Sequence, residues 1–349
     1  MKEFEFGFYA KNALEFPLDE SIKIVDEKDK NEVSAIISNS KEIKAEVYAP
    51  EIDFYVRNSN DNLADKIKAV KTLYDARLSA FDLAQFFDYE QEVGNLLLVV
   101  SSEEPTVLKK LKESGFKAIL LKPEQVAYIS GHLGALDVGV MIDGEINEVK
   151  TDQMLWINAP EFALEQSGVY DFKDIEDAEI VEKLKAKVGN YKYKNYISYD
   201  PNICQYHERR VDTCGKCADI CPTVAIVKDD GEKHLIFSHI DCESCGGCIS
   251  VCPSGALDYT QMPRLAFYEI ARMYKNKIAL VIPRKMEKFL DSLHVKLPEH
   301  VLPLDIEGEK YLHEAHFLSL LQESGAQVVF YTDFVSKGSR DAIFMLNQT

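Results

Sequence analysis

The stretch from Cys204 to Pro253 decides how this chain is read, and its second half runs Cys242-x-x-Cys245-x-x-Cys248-x-x-x-Cys252-Pro253. Its first half runs Cys214-x-x-Cys217-x-x-x-Cys221-Pro222. All eight cysteines of the 349-residue chain lie inside this stretch. At a constant offset of 31 residues, Cys214, Cys217, Cys221, Pro222, Ala225 and Ile226 fall on Cys245, Cys248, Cys252, Pro253, Ala256 and Leu257. The same offset sets Cys242 on Val211, a side chain with no metal donor, and leaves Cys204 over.

Three cysteines two residues apart, followed by Cys-Pro, are the spacing that wraps a [4Fe–4S] cubane. A short loop brings three thiolates to three corners, and the cysteine before the proline reaches the other cluster of the pair. Eight soft thiolates then make two sets of four. One set is Cys204, Cys214, Cys217 and Cys252, with Cys204 as the displaced ligand; the other is Cys242, Cys245, Cys248 and Cys221. The alternative at the first corner is a three-iron cluster on Cys214, Cys217 and Cys252, or a non-cysteine ligand, with His207 and Asp212 nearby. Pro222 and Pro253 lack an N–H and fix φ, so each is expected to end a short helix. Gly246 and Gly247 are expected to let the backbone approach the second cluster and offer N–H groups to sulfur. Paired zinc sites do not require three evenly spaced cysteines before a Cys-Pro. Disulfides do not suit a chain whose start shows no export signal.

A hydrophobic content of 46% supports ordinary packed cores, and the length suggests two or three domains. A net charge of −18 argues against a nucleic-acid partner. The charge is uneven: residues 1–199 carry −13, whereas 263–299 carry +4 through Arg264, Arg272, Lys275, Lys277, Arg284, Lys285, Lys288 and Lys296. That basic segment reads as a solvated helix face, or as a dock for an acidic partner. No apolar run approaches the ~18 residues that cross a membrane, so a soluble, cytoplasmic protein is expected.

Period and β-branched content predict strands at Ile22–Val25, Val33–Ser38, Ile43–Tyr48 and Asp53–Arg57, then a helix from Asn62 to Phe87. Leu96–Val100, a helix opened by Pro105 and closed by Gly115, and Ala118–Leu121 read as a β-α-β unit with parallel strands. Ser101 and Ser102 follow its first strand and read as a helix cap, since no glycine-rich loop accompanies them. The glycines at 131, 134 and 139 follow a helix-like stretch and read as a turn into the hairpin Val138–Ile142 and Glu145–Val149, joined by Asp143-Gly144. Trp156 sits in an expected strand Met154–Asn158 as a core residue. One or two helices are expected across 160–190. Tyr191, Tyr193, Tyr196 and Tyr199 lead into Cys204, either shielding the first cluster or packing on its surroundings. Asp229-Asp-Gly231 marks a hairpin between Ala225–Val227 and Leu235–Phe237. After Pro263, strands at Lys277–Pro283, Val301–Ile306 and Val328–Thr332 alternate with helices at 284–293, Tyr311–Ser324 and from Ser339, implying a small parallel sheet.

The two Cys-Pro runs resemble the bacterial-type 2[4Fe–4S] dicluster ferredoxin module, over roughly residues 200–260. The phrasing around Tyr206–Cys217 and Ile240–Cys248 is similar to multidomain ferredoxin-like proteins that serve hydrogenase or formate dehydrogenase systems. The C-terminal block weakly resembles the small iron–sulfur subunit domain of methyl-viologen-type hydrogenases, although no cysteine follows Cys252. The expected fold is therefore α+β and α/β multidomain: a mixed α/β domain at 1–190, a ferredoxin-like two-cluster module at 191–262 and a small parallel α/β domain at 263–349. The expected role is electron transfer to or from a redox enzyme. The alternatives are a flavin- or nucleotide-binding oxidoreductase subunit, and a cluster-dependent assembly or sensor protein.

Overall fold

The computed structural model describes residues 4–7, 17–25, 35–39, 45–85, 87–209, 211 and 213–348. The first parts of the expected strands Val33–Ser38 and Ile43–Tyr48, and the candidate ligand Asp212, lie outside these residues. The chain forms several small sheets with helices, in two units. The first comprises Met1–Gln85, Ile197–Ile203 and Ser244–Thr349; the second comprises Phe86–Tyr196 and Cys204–Glu243. Among the described residues no helix is long and apolar enough to cross a membrane.

In the first unit, Ile278–Pro283 and Val301–Ile306 are apolar and buried almost throughout. That is the pattern of parallel strands covered on both faces. Val328–Phe330 joins the other side of Ile278–Pro283, completing the expected three-stranded parallel sheet. The helix Glu314–Ser324 ends at Gly325, whose φ of +63° turns the chain and whose N–H reaches Leu321 O at 3.2 Å. A second parallel sheet has the order Ile24–Val25, Phe4–Gly7, Ala35–Ser38, Val47–Tyr48.

The segment Asp53–Arg57, expected as a strand, lies within a helix, Pro50–Asn58. Pro50 opens it, Glu51 and Asp53 occupy its first turn and Arg57 its last, an arrangement matched to the helix dipole. The β-branched and aromatic run that suggested a strand instead buries Ile52, Phe54 and Tyr55 in a helix covered around most of its circumference. The next helix, Leu63–Leu83, starts from Asn62, whose Oδ1 accepts from Asp65 N at 3.1 Å, and stops short of the expected Phe87.

Among the described residues, four of the basic segment's eight cations are paired with carboxylates of their own unit. Arg264 pairs with Asp258, Arg272 with Glu269, and Lys285 with Glu309 and Asp333. Arg284 pairs with Glu307 and with Asp305, a carboxylate only 1% exposed near the carboxyl end of the edge strand Val301–Ile306.

In the second unit, Leu96–Val100, Val107–Glu113 and Lys117–Leu121 form the expected β-α-β unit with parallel strands. Thr106 holds the N-cap position of that helix, correcting the assignment to Ser101 and Ser102. Leu97 and Val99 face a core with Leu108, Leu111 and Leu184, while Leu98 and Val100 face another with Val138, Met154 and Trp156. This is the two-residue alternation of a strand buried on both faces. Trp156 is a core residue, as expected.

The stretch before Gly131 is a strand, Val126–His132, where a helix was expected. It joins the hairpin Ala135–Ile142 and Glu145–Thr151 in a three-stranded meander. The hairpin turns at Asp143-Gly144, both with positive φ, as a two-residue loop requires. Asp88–Val93, not foreseen as a strand, pairs with Gly189–Lys194, setting Glu90 opposite Lys192 and Asp88 opposite Lys194. Opposite charges facing each other across an antiparallel pair favour this register.

The first unit depends on Arg77, which is 8% exposed and hydrogen-bonds Glu51, Asp305 O (3.1 Å) and Asp305 Oδ2 (2.8 Å). Removing one member of a buried ion network leaves the others uncompensated. Arg77→Ala is expected to destabilise this unit by about 3–5 kcal/mol. Urea unfolding checks this, and a loss within the ~0.5 kcal/mol usual for surface substitutions would show that the network is not critical.

Candidate metal centre

The eight cysteines are thiols, with no disulfide among them. Cys204, Cys217 and Cys248 are buried and the other five partly buried. Five of them, Cys204, Cys214, Cys217, Cys221 and Cys242, belong to the second unit; Cys245, Cys248 and Cys252 belong to the first.

Within the second unit, Cys204 Sγ accepts a hydrogen bond from Tyr206 N at 3.4 Å. Its carbonyl accepts from Arg209 Nε (3.4 Å) and Nη2 (3.3 Å). Tyr206 is buried, and its hydroxyl donates to Asp230 Oδ1 at 2.6 Å. The loop after Cys204 is thereby fixed on the turn of the hairpin Ile226–Asp229 and His234–Phe237. The loop closes through Thr213, whose hydroxyl donates to Gln205 O at 2.6 Å. The residue before Cys214 is thus bonded to the residue after Cys204. His207 is engaged elsewhere, stacked on His234 with its Nδ1 3.2 Å from that ring's Nδ1.

Cys214 leads through Gly215, with a φ of +140°, into the short helix Lys216–Asp219 that carries Cys217. A Cβ at Gly215 would press on the Lys228 side chain at 2.8 Å. Cys221 N donates to Ala218 O at 3.1 Å, and Pro222 then takes the chain away, as expected. Thr223 Oγ1 lies 3.5 Å from Cys221 Sγ and donates to Asp241 O at 2.9 Å. This bond ties the end of the first run to the residue before Cys242. Asp241 itself is buried, accepting from Ser167 N at 3.0 Å and from Ser238 Oγ.

The tyrosines before Cys204 have local partners. Tyr193 stacks on Tyr89 at 5.4 Å, and Tyr89 stacks on His239, three residues before Cys242, at 5.5 Å. Tyr199 lies in a strand of the other unit, paired with Leu257.

In the first unit, Cys245 O accepts from Lys310 N at 2.9 Å. Gly246 has a φ of +77°, and a Cβ there would overlap Tyr311. The helix Gly247–Ser250 carries Cys248, and Cys252 N donates to Ile249 O at 3.1 Å before Pro253. Tyr311 is wholly buried between Tyr259, stacked at 4.9 Å, and His316, edge-on at 5.2 Å. Burial holds His316 well below the usual imidazole range, so that ring is neutral at pH 7.

Among the described residues no three His, Cys, Asp or Glu side chains converge on a single metal ion. The donor set is instead all sulfur, in two runs held by short helices and close glycine turns. Soft thiolates of this number suit iron–sulfur clusters, whose four corners spread the ligands apart. Residues 210–256 match the family model of the 4Fe-4S dicluster domain. The chain binds two [4Fe–4S] clusters. The matched stretch contains seven of the eight cysteines, and Cys204 lies ahead of it. No curated protein matches this sequence.

Sequence reading did not anticipate Thr213, Thr223 or Tyr206 as supports of the cysteine loops. The available signal was a threonine directly before Cys214 and another directly after Cys221-Pro222. The glycine pair was anticipated, but the close neighbour of Gly246 in this unit is Tyr311. Gly246→Ala combines a left-handed backbone costing roughly 1–2 kcal/mol with an overlap against a fixed ring. It is expected to lower bound iron by about half, sparing one cluster of the pair. Iron analysis of the anaerobically purified variant checks this, and wild-type iron content would contradict it.

Proposed function

We propose that this protein carries single electrons between redox partners, one of them an enzyme such as a hydrogenase or formate dehydrogenase. The dicluster domain match over a run of paired Cys-Pro motifs carries this reading. When bound, the clusters supply one-electron redox chemistry. The chain's own part is to hold thiolates, keep water away and place hydrogen-bond donors near sulfur. We assign Cys204, Cys214, Cys217 and Cys252 to one cluster and Cys242, Cys245, Cys248 and Cys221 to the other.

Two hydrogen bonds within the second unit support that division. Thr213 to Gln205 O draws the Cys204 and Cys214 segments together, and Thr223 to Asp241 O does the same for Cys221 and Cys242. The nine-residue separation after Cys204 is a small obstacle, since each doubling of a loop adds only ~0.6 kcal/mol of closure cost. The cluster module is assigned to residues 191–262, between segments 1–190 and 263–349. A cytoplasmic location belongs to this reading, supported by a donor set of thiolates that a reducing compartment keeps available for iron.

Anaerobic purification with iron, sulfide and flavin analysis tests the reading. About eight irons and eight sulfides per chain, reversibly reducible, are expected. Tightly bound zinc without iron would overturn it, and stoichiometric flavin would move it toward the oxidoreductase-subunit alternative. Cys204→Ala is expected to convert one cluster to a three-iron form or abolish it, leaving the other intact. EPR of the oxidised variant reads this directly, and two unchanged four-iron clusters would remove Cys204 from the ligand set.

A further inference from the structure

The first unit holds a cavity of about 180 Å³, far from any cysteine in sequence, lined by Asn39, Tyr48, Pro50, Arg57, Glu287 and Lys288, with Asp53 and Arg284 completing it. Its position follows from the two parallel sheets. Asn39 comes directly after the strand Ala35–Ser38, and Tyr48 ends the strand Val47–Tyr48. Arg284 follows Ile278–Pro283, the central strand of its sheet, which has the next strand in sequence on one side and the last on the other. Carboxyl ends of parallel strands, where the strand order reverses, are where open α/β sheets bind ligands.

Two nine-residue helices begin at this cavity, Pro50–Asn58 and Arg284–Ser292. Pro50 has no N–H and Ile52 N already bonds Ala49 O, so the first helix contributes the positive end of its dipole, while the first turn of the second adds backbone N–H groups as well. Among the side chains, Arg57 holds Asp53 at 2.9 Å and Arg284 holds Asp305 and Glu307. Lys288 is exposed and makes no ion pair among the described residues. Glu287 is 7% exposed. Burial, reinforced by Asp305 and Glu51, pushes its carboxyl up to about 9, so it is neutral at pH 7 and able to donate.

Asn39 points to a ligand independently of these charges. It is 4% exposed, and neither its Oδ1 nor its Nδ2 has a partner among the described residues. A buried amide left unsatisfied at both atoms is costly, and such groups call for an explanation. A bound molecule that both donates and accepts at Asn39 supplies one.

We propose that this cavity binds a small organic anion of the carboxylate or phosphate class, held by Asn39, Lys288 and the N-termini of the two helices. The volume sets the size. It is several times the ~30 Å³ share of a water molecule, yet below the roughly 300–1,000 Å³ of pockets for drug-sized ligands. The site is separate from the thiolates and does not depend on the electron-transfer reading.

The test uses the full-length, cluster-loaded protein under anaerobic conditions, with thermal-shift and calorimetric titrations against succinate and inorganic phosphate. Sodium chloride at matched ionic strength is the control. Saturable binding of one molecule per chain in either arm, with a raised melting temperature, is expected; the arm that binds more tightly identifies the class. Lys288→Glu, an exposed change that leaves iron content as a check on folding, is expected to weaken binding by about tenfold or more. Asn39→Leu is expected to abolish binding while leaving the unliganded protein as stable as wild type or more so, since it removes the unpaired amide. The absence of saturable binding in both arms, or wild-type affinity in Lys288→Glu, would overturn the proposal.

Discussion

The first unit is organised around a carboxylate in the wrong place for a hydrophobic sheet. Asp305 sits in a strand whose every residue is buried, and its charge is tolerated because two guanidinium groups, from Arg77 and Arg284, converge on it. Arg77 also holds Glu51, whose own carboxyl burial pushes above the usual range against the pull of that arginine. An isolated buried charge costs several kcal/mol, so the four segments that supply these groups must come together or none is stable. Apolar packing gathers the strands, and this network fixes which helix lies beside them.

The cysteine runs show a different economy. Among the described residues they have little regular structure, two four-residue helices, so few backbone bonds hold them in place. Side chains next to the ligands take over that role: Thr213, Thr223, Tyr206 and Asp241 each bind a backbone group or a neighbouring turn. In the other unit, steric closeness replaces hydrogen bonding, with Tyr311 filling the space that only a glycine at 246 leaves open. Thiolate–metal bonds add their own folding energy, so such loops need only be near the right shape beforehand.

Legibility in the sequence followed the strength of local constraint. Iron chemistry dictates cysteine spacing, and the three strands after Pro263 are short apolar runs between clear helix signals, so both were readable. Asp53–Arg57 was misread because Phe54, Tyr55 and Val56 favour strands, whereas the deciding interactions, Glu51 and Arg57 at the two ends of a helix, depend on its dipole and on Arg77 far along the chain. Val126–His132 lacks a clean alternation, and its strand state comes from pairing with Ala135–Ile142. Asp88–Val93 is too polar to read as a strand by itself, and only the lysines of Gly189–Lys194 make it one. The supports of the cysteine loops were illegible because a threonine hydroxyl can bond anywhere locally. The acceptor is chosen by the fold.

The order of segments along the chain has a consequence for how the protein is made. Arg77 and its partner Asp305 are 228 residues apart, and the whole second unit is encoded between them. At the usual 5–20 residues per second, the ribosome takes on the order of ten to fifty seconds to travel from one to the other. During that interval the second unit has all its residues available, while the helices that carry Glu51 and Arg77 await the sheet that will bury them. The earliest hydrophobic segments of the nascent chain must therefore wait without their final partners until its late strands emerge.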